Sequence, residues 1–499
     1  MSPESSPTKS GTLKISEGNF YNEEQIRSIV RTVVARLTKE GGSSPPGASP
    51  ALSPVAPGDG IFERLDDALA AAASAQEKLM GLSLSTREKM IEAMRQAGRD
   101  NAEKISRLAV AETGMGRVES KIQKNLLVSN KTPGLEDLQP VAWTGDHGLT
   151  LVEKAPFGLI GAIIPSTNPT STVICNSIGM IAAGNAVVFG PHPAAKISSQ
   201  TTIQILNRAI VSAGGPPNSL VALQEPTIEA AGAMMKHPKI RLLVVTGGPG
   251  VVKAAMQSGK KVVAAGPGNP PVVVDETADI EKAGRLIVEG ASFDNNIVCV
   301  CEKEIFAVEK IADQLKRELI KNGAYELDKK QIEALTKIVI AKLPGPGDEE
   351  GAANKKFVGR SPKVILKEIG VTVGDEVKIV LAEVDAHHPL VLVEQLMPVI
   401  PFVRVPDVDE AIRLAIEVEH GYRHSMYMYS RNVEKLSKMA RECNASIFVK
   451  NGPCYTGLGF GGQGYTSFSI ASPTGEGLTK ASDFTRERRC VLIDYFRIV

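Results

Sequence analysis

Cys299 and Cys301 are the two side chains whose type and position most directly suggest covalent chemistry. They lie in the segment 292–303, where a polar run and two β-branched residues come before the first thiol. That composition predicts a strand or loop that enters a core with a thiol near its end. A thiolate at such a place can attack a carbonyl carbon. Two small buried hydrophobic residues are the alternative, and this segment alone favours that alternative.

Cys301 raises a separate question because it follows Cys299 so closely. On an extended backbone the two thiols point to the same side. A second reactive thiol and a disulfide partner are both open, but a bridge between such close positions is strained. We therefore expect Cys301 to be a spectator.

The composition is that of a globular protein with no bulk preference for nucleic acid or membrane. Of the 499 residues 43% are hydrophobic, which is enough for two or three domains with large cores. A net charge of +1 and an aromatic content of 4% argue against nucleic acid or an anionic membrane as a partner. No apolar run is long enough for a membrane span or resembles a secretory signal. Scattered cysteines predict a reducing cytosol, and without clustered ligands we expect no metal site.

The amino-terminal part predicts a helix on a leash. Residues 1–20 are polar and expected to be disordered, 21–40 carry a helical pattern, and 41–60 are a linker rich in Pro, Gly and Ser. The helix presents an apolar stripe formed by Ile26, Ile29, Val30, Val33, Val34 and Leu37. A tethered amphipathic helix is typical of a docking peptide that lies in a partner's groove. Folding back onto its own domain is an alternative, whereas Glu23 and Glu24 argue against a mitochondrial presequence.

The body begins at Ile61 and alternates between strands and helices. Helices are predicted over 62–81 and 86–112, and strand character begins again at Leu149. Buried strands and helices then alternate up to Val274, which predicts a parallel, doubly wound α/β sheet. The predicted strands of this first series are 159–165, 185–189, 220–223, 241–245, 261–265 and 271–274. A second α/β series follows over about 278–450.

Two predicted segments are the most open to ligands or partners. They are a glycine-rich turn and the carboxyl-terminal strand. Residues 244–250 end a strand in glycines and open a helix, which suits a dinucleotide phosphate but also an ordinary tight turn. Residues 490–499 read as an apolar terminal strand, and such a strand usually joins a neighbouring sheet, often that of a partner subunit.

Several motifs in the same order resemble the aldehyde dehydrogenase superfamily over nearly all of residues 61–499. They are the Pro-x-Asn loop in 163–169, the strand 182–188 that leads to the cofactor ribose, the turn 246–248, the Glu-x-x-x-Pro-Val segment 394–399 and Cys299 at the position of the nucleophile. The resemblance implies the aldehyde dehydrogenase fold, with a Rossmann-like cofactor domain over 61–270, an α/β catalytic domain over 271–465, and a small β oligomerisation element in 140–157 and 466–499.

The resemblance also implies a site. Cys299 is expected to be the nucleophile and Asn168 the oxyanion donor. The expected cofactor-binding residues are Pro165, Ser166, Thr167, Gly190, Pro191, His192, Thr246, Gly247, Gly248, Ala265, Gly266 and Glu394. His192 either contacts the cofactor phosphate or caps its own turn, and His387 and His388 are expected to be solvated or to line the pocket.

Two departures from the common family pattern indicate which acyl acceptor and which cosubstrates the reaction uses. Ala264 stands where the family has the glutamate that activates the deacylating water, and alanine cannot take a proton. A thiol is partly ionised near neutral pH and needs less help, so coenzyme A is the natural acyl acceptor. Residues 189–193 lack the Lys and Glu that grasp the adenosine ribose, which fits a site that holds NAD and coenzyme A in turn.

Both departures resemble the coenzyme A-acylating aldehyde dehydrogenases of bacterial microcompartments. That resemblance implies oxidation of a short-chain aldehyde, with propionaldehyde favoured over acetaldehyde, in the compartment lumen within the cytoplasm. It implies a shell protein as the partner of residues 22–40 and a homo-oligomer, either dimer or tetramer. A hydrolytic aldehyde dehydrogenase and a non-catalytic compartment interaction protein are the alternatives.

Overall fold

The computed structural model describes residues 23–40, 52–345 and 351–498. Its α-helices are α1 Glu23–Glu40, α2 Leu65–Met80, α3 Leu84–Asp100, α4 Ala102–Thr113, α5 Val118–Lys131, α6 Pro169–Ala182, α7 Lys196–Ser212, α8 Ile228–Lys236, α9 Pro249–Met256, α10 Ile280–Ala291, α11 Glu309–Lys321, α12 Lys329–Val339, α13 Pro362–Lys367, α14 Pro389–Leu392, α15 Val408–Val418 and α16 Val433–Glu442.

The strands fall into three main sheets and two short two-stranded ones. They are β1 Ile61–Phe62, β2 Val141–Gly145, β3 Gly148–Pro156, β4 Leu159–Ile164, β5 Ala186–Pro191, β6 Leu220–Leu223, β7 Ile240–Thr246, β8 Lys261–Ala265, β9 Pro271–Val274, β10 Glu304–Val308, β11 Ala324–Glu326, β12 Ile340–Lys342, β13 Ala352–Ala353, β14 Ile379–Glu383, β15 Val399–Val405, β16 Ser425–Tyr429, β17 Ile447–Lys450, β18 Ile470–Ala471, β19 Gly477–Leu478 and β20 Thr485–Ile493.

The first sheet is parallel throughout, in the order β1-β6-β5-β4-β7-β8. Every residue of β4 is buried, and so are nearly all residues of β5. Strands with helices packed on both faces need apolar side chains on both sides, which explains the continuous runs of Val, Ile and Ala. The chain leaves β4 in one direction towards β5 and returns on its other side at β7. The order therefore reverses at β4, and the predicted doubly wound α/β architecture is confirmed.

The second sheet is also parallel, in the order β11-β14-β15-β10-β9-β16-β17. Residues 271–274, predicted to close the first series, instead form β9 between β10 and β16 of this second sheet. The short connection 266–270 therefore joins the two sheets directly. This connection places the first sheet beside the second sheet, whose strand β10 follows the segment of Cys299.

The third sheet is a small antiparallel one in the order β2-β3-β20. The predicted terminal strand is real, but it begins at Thr485 and ends at Ile493, so the last residues lie outside it. It pairs with β3 of the same chain along its whole length and forms an edge of this sheet. All five residues of β2 are exposed.

The region 86–112, predicted as a single helix, forms two helices, because the helical backbone is interrupted at Asn101. The Asn101 backbone lies at φ −103° and ψ 4°, outside the helical region, and its side-chain amide donates to the Ala97 carbonyl at 2.9 Å. Asparagine competes for backbone partners in this way and so ends helices. Phe62, the first residue of the helix predicted over 62–81, belongs instead to β1, which pairs with β6.

Helix α1 differs from the expectation of a free helix on a leash. Ile26 is 1% exposed and belongs to the main core, and Ile29 and Val30 pack against that core. The Arg27 guanidinium lies 5.2 Å from the centre of the Phe460 ring. Burying Ile26, Ile29 and Val30 contributes about 25 cal/mol for each Å² of apolar surface removed from water, which favours docking on the chain's own domain.

The parts that flank α1 are only partly described. The predicted disorder of 1–20, the predicted cap Asn22 and the linker 41–51 lie outside the described residues. The end of the predicted linker is attached to the body, since the Val55 carbonyl accepts from Gln224 at 3.0 Å and the Ala56 carbonyl accepts from Gln204 at 3.1 Å. Among the described residues, no helix combines the length and apolar character needed to cross a bilayer.

Candidate active site

The carboxyl ends of β4, β5, β7 and β8 meet at one edge of the first sheet. Parallel pairing sets Ile164 opposite Pro191 and Thr246 opposite Ala265. The ends of these strands and the loops that follow them carry all but one of the predicted cofactor-binding residues: Pro165, Ser166 and Thr167 after β4, Gly190, Pro191 and His192 at the end of β5, Thr246, Gly247 and Gly248 at the end of β7, and Ala265 and Gly266 at the end of β8. Open α/β sheets bind ligands at such an edge, where the strand order reverses.

This edge has features that fit an adenine nucleotide. Helix α9 begins after Gly248 without a side-chain cap, and a Cβ at Gly248 or Gly250 would meet nothing within 4 Å. A phosphate can therefore approach the amino terminus of this helix. Beside β5 lies a shallow pocket with apolar walls, formed by Val188, Phe189, Gly190, Pro191, Ala230, Ala231 and Met234 among others. A flat purine ring suits such a wall, and NAD and coenzyme A both carry one.

His192 caps its own turn. Its Nδ1 accepts from the Ala194 N–H at 3.1 Å, and burial lowers the pKa of the imidazole. The following helix α7 has a carboxylate at its amino terminus, because Glu112 accepts from the N–H groups of Ile197 at 2.7 Å and Ser198 at 2.8 Å. A phosphate would meet that negative charge, so α9 is the better anion site of the two.

The segment before Cys299 is a series of turns, so of the two predicted forms, strand or loop, the structure has the loop. Asp294, Asn295 and Asn296 have φ values of 49°, 53° and 62°. Asp and Asn tolerate this left-handed backbone better than other non-glycine residues. The Asp-Asn-Asn run is the signal in the sequence for this left-handed backbone.

Side-chain amides hold these turns in place. The Asn295 amide donates to the Gly359 carbonyl at 2.9 Å, and the Asn296 amide donates to the Ala291 and Glu302 carbonyls at 2.8 Å each. The Lys303 ammonium donates to the Asn296 side chain at 2.5 Å. A strained backbone that is fixed from several directions keeps the following thiol in one position.

Cys299 and Cys301 occupy different environments because the backbone between them is turned. The Cys301 N–H donates to the Val298 carbonyl at 2.9 Å. Cys299 is partly exposed, whereas Cys301 is fully buried, with its sulfur 3.9 Å from that of Cys454. All of these cysteines are free. Only Cys299 is placed to meet a substrate, and Cys301 remains the interior spectator that we expected.

The surroundings of the Cys299 thiol favour its protonated form. Enclosure of the thiol by protein, with the Glu394 carboxylate nearby, raises the pKa of Cys299 to about 12, although the Lys303 ammonium partly offsets these effects. Glu394 is fixed against the connection 266–270, since its Oε1 accepts from the Gly268 N–H at 3.1 Å. The predicted Glu394 and Cys299 are thus electrostatically coupled.

Replacing Glu394 by glutamine is expected to speed alkylation of Cys299 by iodoacetamide at pH 8. Removing a negative charge lowers the pKa of the thiol and so raises the thiolate fraction. In the wild type, the alkylation rate should rise by about tenfold for each pH unit between 7 and 10, because the thiol titrates above this range. Mass spectrometry of the Cys299 peptide measures both rates. A plateau below pH 8, or slower alkylation of Glu394→Gln, would contradict this electrostatic account.

His424 is a residue of this site that sequence reasoning missed. Its ring is buried, its Nδ1 lies 2.8 Å from the Ser425 hydroxyl, and its Nε2 has no partner. Burial, together with the Lys303 charge, lowers the pKa of His424 to about 3, which favours the neutral ring over the imidazolium. A Cβ at Gly268 would lie 2.8 Å from this ring and 3.0 Å from the Cys299 carbonyl oxygen. A single histidine that belongs to no motif gives no signal of function in a sequence.

The two histidines that the sequence did single out lie elsewhere. His387 is exposed and lies 3.4 Å from the Glu417 carboxylate. His388 caps α14 by accepting from the Leu390 N–H at 3.2 Å. The first of them is solvated as expected, and neither has a contact that suggests chemistry.

Asn168 is buried at the amino-terminal end of α6, in the loop that follows β4. Its amide nitrogen donates to the Thr167 hydroxyl at 3.2 Å, and its amide oxygen accepts from the Lys124 ammonium at 2.6 Å. The side chain is therefore held at both ends. Among the described residues, no group of histidine, cysteine and carboxylate side chains could hold a metal ion.

Comparison with known proteins places this arrangement in a family. The model of the aldehyde dehydrogenase family matches residues 59–328. The chain belongs to the aldehyde dehydrogenase family. It is 50% identical to the acetylating acetaldehyde dehydrogenase of Bilophila wadsworthia, over 96% of this chain and 99% of that one.

Two solved structures resemble this chain over most of its length. A Rhodopseudomonas palustris propionaldehyde dehydrogenase, with bound coenzyme A and an acylated cysteine, is 52% identical with a TM-score of 0.84, over 88% of this chain and 99% of that one. A propionaldehyde dehydrogenase from the fucose utilisation microcompartment of Clostridium phytofermentans is 46% identical with a TM-score of 0.85, over 88% of this chain and 100% of that one. The predicted fold and the predicted subgroup resemblance are confirmed.

Proposed function

We propose that this protein oxidises a short-chain aldehyde with NAD and coenzyme A, giving acyl-coenzyme A and NADH through a thioester on Cys299. The observation that carries the proposal is the combination of a positioned, partly exposed Cys299 with a buried Ala264 where the family has a glutamate. The similarity to acetylating and propionaldehyde dehydrogenases supports it. Propionaldehyde is the favoured substrate.

The first half of the reaction uses Cys299 and Asn168. Proton loss from Cys299 gives the thiolate that attacks the aldehyde carbonyl. The Asn168 amide N–H and the Cys299 backbone N–H stabilise the negative oxygen that forms. Bound NAD supplies the acceptor for the hydride. The acyl group then remains on the Cys299 sulfur as a thioester.

The second half depends on the residue at position 264. Ala264 lies within β8, is fully buried, and donates its N–H to the Thr474 hydroxyl at 3.0 Å. It offers no group to remove a proton from water, so hydrolysis of the thioester is slow. The thiol of coenzyme A ionises more easily and attacks without such a base. The shared adenine portion lets both cosubstrates use the edge formed by the predicted cofactor residues in turn.

We further propose that the protein acts in the lumen of a bacterial microcompartment and that α1 addresses a shell protein. The relationship to the fucose utilisation microcompartment enzyme supports the location. Because Ile26 packs on the chain's own core, this helix must leave its docked position, or present its remaining surface, in order to bind a shell protein.

Removing residues 1–51 is expected to spare activity and to abolish loading into the compartment. The cut is placed before Val55 because the body holds that carbonyl. NADH formation should stay within about twofold of the full chain, since α1 contributes no group to the site. Co-purification with assembled shells measures loading. Unchanged loading of the truncated chain would contradict the address, and loss of activity would contradict its independence from the site.

A homo-oligomer is proposed on the basis of the third sheet, whose exposed strands leave large apolar side chains in water. They are Val141, Trp143, Val491, Leu492 and Ile493, with Tyr495, Phe496 and Ile498 after β20. A contiguous apolar surface of this kind is typical of a subunit interface. Light scattering of the full chain measures the mass of the particle in solution. The proposal requires this mass to exceed that of one subunit.

A further inference from the structure

A buried charge cluster lies between Asn168 and the segment that carries Cys299. It consists of Lys121, Lys124 and Asp294, of which each lysine is 2% exposed and the aspartate 0%. Helix α5 supplies both lysines, and the left-handed turn before Cys299 supplies the carboxylate. Buried charges are costly unless they are paired, so such a cluster needs a reason to be present.

Lys124 is the member of the cluster that contacts the predicted oxyanion donor. Its ammonium donates to the Asn168 amide oxygen at 2.6 Å and also to the Asp294 carboxylate. One side chain therefore joins the oxyanion donor to the nucleophile segment. A hydrogen bond from an ammonium is about twice as strong as one between neutral groups.

The bond from Lys124 determines which end of the Asn168 amide is free. A lysine ammonium only donates, so the amide oxygen must face Lys124 and the amide nitrogen must face the other way. Among the described residues, that nitrogen donates to the Thr167 hydroxyl alone, at 3.2 Å. The positive charge of Lys124 beside the amide oxygen also polarises the amide group, which makes its N–H a stronger donor.

Asp294 gives Lys124 a fixed anchor. Its carboxylate accepts from the Arg117 N–H at 2.7 Å, and its own N–H donates to the Ser120 hydroxyl at 3.2 Å. A Cβ at Gly116 would lie 2.2 Å from the carboxylate, so glycine is needed there. Lys121 completes the cluster at 3.2 Å from both Asp294 and the Thr167 carbonyl, and burial lowers the pKa of Lys121 to about 8.

We propose that Lys124 is a positioning residue for acylation of Cys299. It holds the Asn168 amide with its N–H towards the oxygen of the bound carbonyl, and it ties that donor to the turn that sets the Cys299 position. The inference rests on the proposed function for the identity of the aldehyde reaction. It concerns only the formation of an oxyanion at Cys299, which other carbonyl reagents also produce.

The substitution Lys124→Met tests this inference without leaving an unpaired buried charge. Asp294 keeps Lys121 and the Arg117 N–H, so the cluster changes from one net positive charge to neutral. Methionine is of similar length and fills the space with an apolar chain. Lys131→Met is a matched control on the same helix, since the Lys131 ammonium donates to the Gly459 and Gly462 carbonyls, outside the Lys124 cluster.

The readout is the first turnover of p-nitrophenyl acetate by the full-length protein. Attack by Cys299 on this ester forms an oxyanion and a thioester and expels p-nitrophenolate, with no need for NAD or coenzyme A. Lys124→Met is expected to lower this rate by about 10²-fold, near the effect of losing one oxyanion donor. Lys131→Met should stay within about twofold. Alkylation of Cys299 by iodoacetamide builds no oxyanion and should change by less than about twofold in either variant.

A double-mutant cycle separates positioning from a general effect on the fold. If Lys124 acts through Asn168, adding Lys124→Met to Asn168→Ala should cost less than about threefold. Additive losses, or an equal loss of iodoacetamide alkylation in Lys124→Met, would overturn the inference. A wild type that releases p-nitrophenol but forms no NADH with any short aldehyde would defeat the proposed function, while the comparison of Lys124→Met with wild type would still decide the role of Lys124.

Discussion

Replacing Cys299 by alanine is expected to lower aldehyde-dependent NADH formation by at least about 10⁴-fold, because removal of a covalent nucleophile eliminates the step on which all later steps depend. No other thiol can replace it. Cys301 and Cys454 are fully buried, and the turned backbone directs Cys301 into the interior. The measurement is NADH absorbance with propionaldehyde, NAD and coenzyme A all present.

Cys301→Ala is the matched control for this experiment. It makes the same chemical change two residues away, at a side chain that is completely enclosed. Its activity should stay within about threefold of wild type, since a small cavity in the core affects stability more than chemistry. Substantial NADH formation by Cys299→Ala, or equal losses in the two variants, would mean that the thioester does not form on Cys299.

Omitting coenzyme A is expected to lower the steady-state rate of NADH formation by at least about 10²-fold. A general base usually contributes a factor of this size, and the residue at position 264 provides no base to activate water. The structural reason is Ala264, which is buried in β8 and carries no proton acceptor. The thioester then waits for a nucleophile that ionises by itself. Desulfo-coenzyme A is the appropriate control because it has the same adenine nucleotide but no thiol.

The outcome with desulfo-coenzyme A separates two explanations of the coenzyme A effect. If the thiol is the acyl acceptor, the analogue leaves the rate as low as without coenzyme A. If coenzyme A acts only by binding, the analogue restores the rate. Equal rates with and without coenzyme A, together with release of the free acid, would instead identify a hydrolytic aldehyde dehydrogenase.

Buried parallel strands were the part of the fold that the sequence predicted best. The bounds of β6, β8 and β9 agree with the predicted ranges residue for residue. Strands packed on both faces are continuous runs of Val, Leu, Ile and Ala between glycines and prolines, so the local pattern carries the information. The motifs also placed the predicted cofactor residues at a common sheet edge, since carboxyl ends of parallel strands meet there.

Features that depend on tertiary contacts could not be predicted in this way. The sheet that β9 joins is decided by its pairing with β10 and β16, and not by its own apolar residues. The docking of α1 depends on an apolar surface of α5 that the pattern of α1 does not reveal. The left-handed turn at Asp294 depends on partners such as Arg117 and Lys124, which are far away in sequence.

His424 and Lys124 illustrate why part of the candidate site was missed. Neither lies in a motif, and each acquires meaning only from what surrounds it: an unpartnered nitrogen beside Gly268 for His424, and the Asn168 amide for Lys124. Chemistry-bearing residues with regular spacing were visible in the sequence, whereas those brought in by packing required the structure.

The central claim is that Cys299 carries the acyl group and passes it to a thiol rather than to water. Intact-protein mass spectrometry after a first turnover with propionaldehyde and NAD, without coenzyme A, tests this directly. The account predicts one NADH per subunit, a lasting mass increase of one propionyl group on the Cys299 peptide, and its loss as propionyl-coenzyme A when coenzyme A is added. Free propionate released at the rate of NADH formation, or an acyl group on any other residue, would contradict it.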